Sequence, residues 1–230
     1  AGLRLDAQEQ VFRHLQKCVE GRSVLPERLG EASDRLRRTL ARLRPGRRAG
    51  LAQMRRRHRR KLARVFSDGI TLVRNRGGLL PLRADDQGLI LYPHRFETES
   101  ENLARRLGGW TRMAYAESPA AGSWDPALWQ AAGQAKKVLV LSLDAVSRPW
   151  LAEGVAALDP KRTIVVALRS PYDLKRFPDI GAYLVIHHPV AEAWQALADV
   201  LVGLRPAYGR LPVPLGDGLP AGFRWEGRGD

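Results

Sequence analysis

The sequence predicts an α/β domain: a three-layer, doubly wound, mostly parallel six-stranded sheet with helices on both faces, preceded by an N-terminal helical segment. Three observations carry this. Six short β-type runs lie between residues 70 and 186. Several are apolar without alternation, the pattern of strands covered on both faces. Helical stretches separate them, and strand–helix alternation at this spacing implies a parallel sheet flanked by helices. The right-handed crossover rule then narrows the topology to a doubly wound form.

In chain order, residues 6–20 read as a helix, with Val11, Leu15 and Cys18 at helical spacing and Gly21 placed to stop it. Pro26-Glu27 starts a second helix. Leu29, Ala32, Leu36, Leu40 and Leu43 form an apolar stripe along it, ended by Pro45-Gly46. This stripe is expected to pack on the α/β core or on a partner domain. A third helix spans about 50–67, with Leu51, Met54, His58, Leu62 and Val65 as its apolar side. The period then changes. Strands are expected at 70–73, 89–92, 113–115, 138–141, 164–167 and 183–186. Helices are expected near 99–107, 125–135, 148–158 and 189–203. The domains expected are a basic helical extension over 1–66, the α/β sandwich over 67–215, and an irregular tail, rich in Pro and Gly, over 216–230.

Composition sets limits. The hydrophobic fraction of 44% allows a sizeable core. No apolar run is long enough for a membrane span. The chain begins with Ala1, which suggests a processed product or a piece of a longer chain. No compartment follows from this, although a cytoplasmic one is favoured. One cysteine, Cys18, excludes an internal disulfide and any Cys-rich zinc site, and reads as a small buried apolar residue. The net charge of +14 is uneven: residues 1–66 hold 19 Lys and Arg against 6 Asp and Glu. The remainder is almost neutral.

Four stretches resemble the C-terminal domain of family 3 glycoside hydrolases, the β-N-acetylglucosaminidase branch in particular. They are Ser67-Asp-Gly-Ile-Thr-Leu-Val-Arg-Asn75 with Leu80-Pro-Leu82; Val138-Leu-Val-Leu-Ser-Leu-Asp-Ala145; Val166-Ala-Leu-Arg-Ser-Pro-Tyr-Asp-Leu174 with Phe177-Pro178; and Ala196-Leu-Ala-Asp-Val-Leu-Val-Gly203 with Gly209-Arg-Leu-Pro-Val213. Arg35-Leu-Arg-Arg-Thr-Leu40 is similar to the helix that links the family's barrel to this domain. The resemblance implies a (β/α)8 barrel partner that carries the nucleophile and acid/base, and a glycan with terminal N-acetylglucosamine as the parent's substrate. Nothing in this chain matches the barrel's motifs. The chain alone is therefore expected to be an inactive accessory domain. His187-His188-Pro189 stands where the family usually has a tyrosine.

Candidate site residues lie where open sheets place functional loops, after the strands. They are Asp144, Arg169, Ser170, Tyr172 and Asp173. A structural reading competes for each acid. Ser170, Pro171 and Asp173 suit a helix cap, first position and first turn, and Asp144 suits the cap of the segment leading to Pro149-Trp150. No G-x-S-x-G elbow surrounds Ser170. His187 and His188 are adjacent, so the two rings point apart and no metal is expected. No cofactor is expected either, since Gly77-Gly78 lacks the spacing that cradles a dinucleotide. Arg55, Arg56, Arg57, Arg59, Arg60 and Lys61 form a basic collar without interleaved aromatics, so nonspecific nucleic-acid binding is expected at low salt and base stacking is not. The alternative function is a free-standing module that binds an anionic polymer, nucleic acid or cell-wall glycan, through these helices. A homodimer is also possible from the sequence.

Overall fold

The computed structural model describes residues 5–43, 51–119, 122–216 and 218–227. They divide between two compact units, Ala1–Leu51 and Ala52–Asp230.

The first unit holds α1 (Leu5–Glu20) and α2 (Pro26–Ala41). Gly21 ends α1 with its N–H on the Lys17 carbonyl, 2.8 Å. Pro26 opens α2, where its missing N–H loses nothing. Nothing within the first unit buries the stripe on α2: Leu29 is 46% exposed, Leu36 60% and Leu40 53%. Cys18 is half-buried rather than buried, and its Sγ lies 3.5 Å from Nε2 of His14.

α3 (Leu51–Gly69), which apart from Leu51 belongs to the second unit, runs into β1 (Thr71–Asn75). The side of α3 read as apolar is also open: Met54, Leu62 and Val65 are exposed. The residue of this helix that packs on the core is Phe66. Next come β2 (Gly88–Pro93), α4 (Glu97–Arg106), β3 (Thr111–Tyr115), α5 (Pro126–Gln134), β4 (Lys137–Ser142) and α6 (Pro149–Ala156). The chain continues through β5 (Thr163–Ala167), β6 (Ala182–Val185) and α7 (Ala191–Leu201).

The six strands form one sheet in the order β1-β6-β5-β4-β2-β3. β2 to β6 are parallel, and β1 closes one edge antiparallel to β6. The expected fold class therefore holds. Alternate residues feed opposite faces, as the pleat requires. Leu139, Leu141, Ile164 and Val166 join the core under α4 and α7. Val138, Val140, Val165 and Ala167 join the core under α5 and α6. That two-sided burial is why these strands read as unbroken apolar runs.

The turn after β1 is clamped by one side chain. Asn75 donates from Nδ2 to the Leu80 carbonyl, 2.9 Å, and accepts the Leu80 N–H on Oδ1, 3.0 Å. Asn75→Ala leaves both backbone groups without these partners. It is expected to lower stability by about 1–3 kcal/mol, read as a lower urea midpoint.

The crevice at the carboxyl ends of the strands

The strand order creates a site. β2 leads to β3 on one side, and the chain then returns to lay β4 on the other side of β2. Loops leaving β2 and β4 diverge at this switch point, and the crevice between them is where open α/β sheets bind ligands. At this end of the sheet lie two adjoining hollows of about 720 and 990 Å3, lined chiefly by the loops after β3, β4 and β5, that share Glu117, Ser118, Pro119 and Trp150. The first is lined further by Asp144, Arg148, Ser170, Tyr172 and Asp173. The second is lined further by His94, Tyr115, Trp124 and Asp125.

Each wall has a local cause. Asp125 caps α5, accepting the Ala127 N–H at 2.8 Å, and Pro126 takes the first helical position. Trp150 stands edge-on to Tyr115, centroids 5.7 Å apart. Burial raises the Tyr115 hydroxyl well above its ordinary range and keeps it protonated, and it donates to the Leu141 carbonyl at 2.6 Å. The Tyr172 ring is 39% exposed, with Nζ of Lys175 5.4 Å from its centroid.

The charged groups hold one another. Asp144 Oδ2 lies 3.4 Å from Nη1 of Arg169 and 3.7 Å from Nη1 of Arg148. Arg148 also donates from Nε to the Glu117 carbonyl, 3.2 Å, and the Glu117 carboxylate pairs with Arg95. Asp144 itself is left-handed, φ 55°, an uncommon conformation for a residue with a Cβ. Its side chain makes no capping bond, contrary to the capping role expected of it.

Ser170 does cap, taking the Tyr172 N–H at 3.3 Å, and Pro171 follows in the first position. The segment it opens is a six-residue 3-10 turn, Pro171–Arg176, rather than an α-helix. Asp173 sits in its first turn and is fully buried. Its Oδ2 accepts the Ser142 hydroxyl at 2.6 Å. All five predicted site residues thus gather at one end of the sheet. Sequence reasoning missed Glu117, Arg148, Trp150 and Trp124, which follow β3 and β4. Their signal was position after an apolar run.

Elsewhere, His187 is left-handed, φ 61°, and Nε2 lies 3.2 Å from the Thr71 hydroxyl. Burial lowers its basicity. His188 turns to Phe66, centroids 6.2 Å apart. Among the described residues no three His, Cys, Asp or Glu side chains converge as a metal site. In the basic run, Arg59 and Lys61 are exposed and Arg59 reaches Glu192 at 3.6 Å. The side chains of Arg55, Arg56, Arg57 and Arg60 lie outside the described residues.

No family model and no curated protein matches the chain. Solved structures do. A fungal multi-domain family 3 β-N-acetylglucosaminidase that carries a glucosamine N-acetyltransferase region superposes with a TM-score of 0.65 at 23% identity. A family 3 β-N-acetylglucosaminidase from a Paenibacillus species superposes with a TM-score of 0.58 at 24% identity. This is the fold of a family 3 glycoside hydrolase domain. A β-glucoside phosphorylase shares it with a TM-score of 0.56 at 19% identity, over 89% of this chain and 41% of its own. The family 3 fold accounts for nearly the whole sequence: 92% of this chain is covered by each of the first two. The chain spans only 26% and 44% of their lengths.

Proposed function

We propose that this chain is the accessory C-terminal domain of a family 3 β-N-acetylglucosaminidase, with a catalytic barrel as its partner. One observation carries the reading: a family 3 fold that fills 92% of this chain yet under half of either glucosaminidase it matches. The domain's own chemistry agrees. Retaining hydrolysis needs two carboxyl groups about 5–5.5 Å apart across an accessible sugar. Asp173 is sealed from solvent under Ser142, and Asp144 and Glu117 are engaged by arginines. The crevice supplies a wall with aromatic faces at Trp150 and Tyr172 rather than a nucleophile and its acid. The open stripe Leu29, Leu36 and Leu40 is the kind of surface a partner domain covers.

The purified chain is expected to release no chromophore from a chromogenic N-acetylglucosaminide above the buffer rate, at any pH from 4 to 8. Turnover that persists through repurification and is lost in Asp144→Asn would end this reading. Tight, salt-resistant binding of one DNA, RNA or glycan polymer would replace it with the free-standing module.

A further inference from the structure

We propose that Asp173 is the positioning residue of the crevice: its carboxylate holds the loop Asp144–Ser147 in the shape that sets Asp144 between Arg148 and Arg169. This concerns the crevice alone and stands whether or not the domain serves a glycosidase.

The geometry is a buried post beneath a strained rim. Asp173 is 0% exposed, on a turn that follows β5. It reaches sideways to the loop after β4. The Ser142 hydroxyl donates to Oδ2 at 2.6 Å, and the Val146 N–H points to Oδ1 at 3.4 Å. A second tie joins the same two segments, from Arg176 Nη2 to the Val146 carbonyl, 3.2 Å. Between these anchors Asp144 is left-handed, φ 55°. A non-glycine residue stays in that region only where its surroundings over-determine it. The Val146 N–H can only donate and the Ser142 hydroxyl donates here, so the carboxylate satisfies both at once, whereas a protonated carboxyl would have to turn the Ser142 hydroxyl into an acceptor.

The titratable and charged groups around Asp173 come from every neighbouring element: Asp144 after β4, Arg148 at the start of α6, Glu117 and Tyr115 from β3 and its loop, Tyr183 from β6, and Arg169 and Arg176 beside it. Burial pushes the Asp173 carboxyl up from the usual aspartate range, and Asp144 adds to this. Ser142 and the loop N–H groups pull it back down. A carboxyl raised by folding favours the fold most below its unfolded value of 3.8, and that contribution fades as pH climbs through the folded value. The ordered loop follows the opposite course, forming over the same climb as the carboxylate appears.

The test is an NMR pH titration of the 15N-labelled chain from pH 3 to 8. In the wild type, the Ala145 and Val146 amides and the Trp150 indole are expected to move in one common step, with its midpoint above the ordinary aspartate value, while the Leu139 and Ile164 amides stay still. In Asp173→Asn that step is expected to vanish. In Ser142→Ala the carboxylate loses a donor, so the midpoint is expected to rise by about one pH unit. A wild-type loop without the step, or the same step surviving in Asp173→Asn, overturns the proposal; the latter would assign it to Asp144. If Asp173→Asn does not fold, an unmoved midpoint in Ser142→Ala overturns it as well.

Discussion

Leu139→Ala is expected to lower the stability of the chain by about 2–5 kcal/mol, while Leu36→Ala changes it by no more than about 0.5 kcal/mol. Both leucines belong to apolar patterns in the sequence, Leu139 to an unbroken strand run and Leu36 to a helical stripe. Leu139 is fully buried in the central strand β4, in register with Ile90 on β2 and Ile164 on β5. Truncation there removes apolar burial and leaves a hole that rigid neighbouring strands cannot close. Leu36 on α2 is 60% exposed, so its loss creates no cavity. Urea denaturation monitored by circular dichroism checks both: the Leu139 variant loses midpoint with its slope kept, and the Leu36 variant overlays the parent. An equal loss at Leu36 would show that the stripe is covered in the free chain and that α2 is not available to a partner.

Gly154→Ala is the second substitution with a large expected effect. Gly154 lies in α6, where alanine is the better helix former by about 1 kcal/mol. The structure reverses that preference. A Cβ at this position would run into Cε2 of Trp124 and sit 2.6 Å from Cδ2 and Nε1. Trp124 is 4% exposed and packs beside Trp129, centroids 5.0 Å apart, so its indole has little room to retreat. Overpacking of this kind costs about 1–3 kcal/mol, which exceeds the helical gain of about 1 kcal/mol over all but the bottom of that range. The displaced ring is also a wall of the crevice, so the Trp150 indole resonance is expected to shift with it. Adding Trp124→Leu to Gly154→Ala should make the double variant more stable than the sum of the single effects predicts, because the two residues share one space. Strict additivity would show that the ring and the glycine do not meet.

Both experiments turn on the same division. Regular elements were legible because their causes are local. The unbroken runs at 138–141 and 164–167 announced strands covered on two faces, and β4 and β5 lie at the centre of the sheet. Pro26 and the Asp125-Pro126 pair lie at the starts of α2 and α5, and Gly21 stops α1, because caps and breakers act within one turn of chain. The Ser170-Pro171 signal was right as a cap and wrong in what it opened, a 3-10 turn in place of a helix.

Burial and the crevice were not legible in this way. Periodicity shows that Leu36 and Leu62 line one side of a helix, but not whether anything within the chain covers that side, and both are exposed. Asp173 carried every mark of a first-turn acid, yet its decisive partner is Ser142, 31 residues earlier. Asp144 reads as an ordinary cap and is instead a left-handed rim residue between two arginines. The sequence by itself determined the alternation of strands and helices, the two-sided sheet and the gathering of loops at its carboxyl edge. The tertiary structure alone decided which apolar stripe is inside, which acid is sealed and which arginines meet it. Backbone preferences are settled by neighbours a few residues away, whereas the sealing of Asp173 and the pairing of Asp144 with Arg169 depend on segments that only the pairing of β4 with β5 brings together.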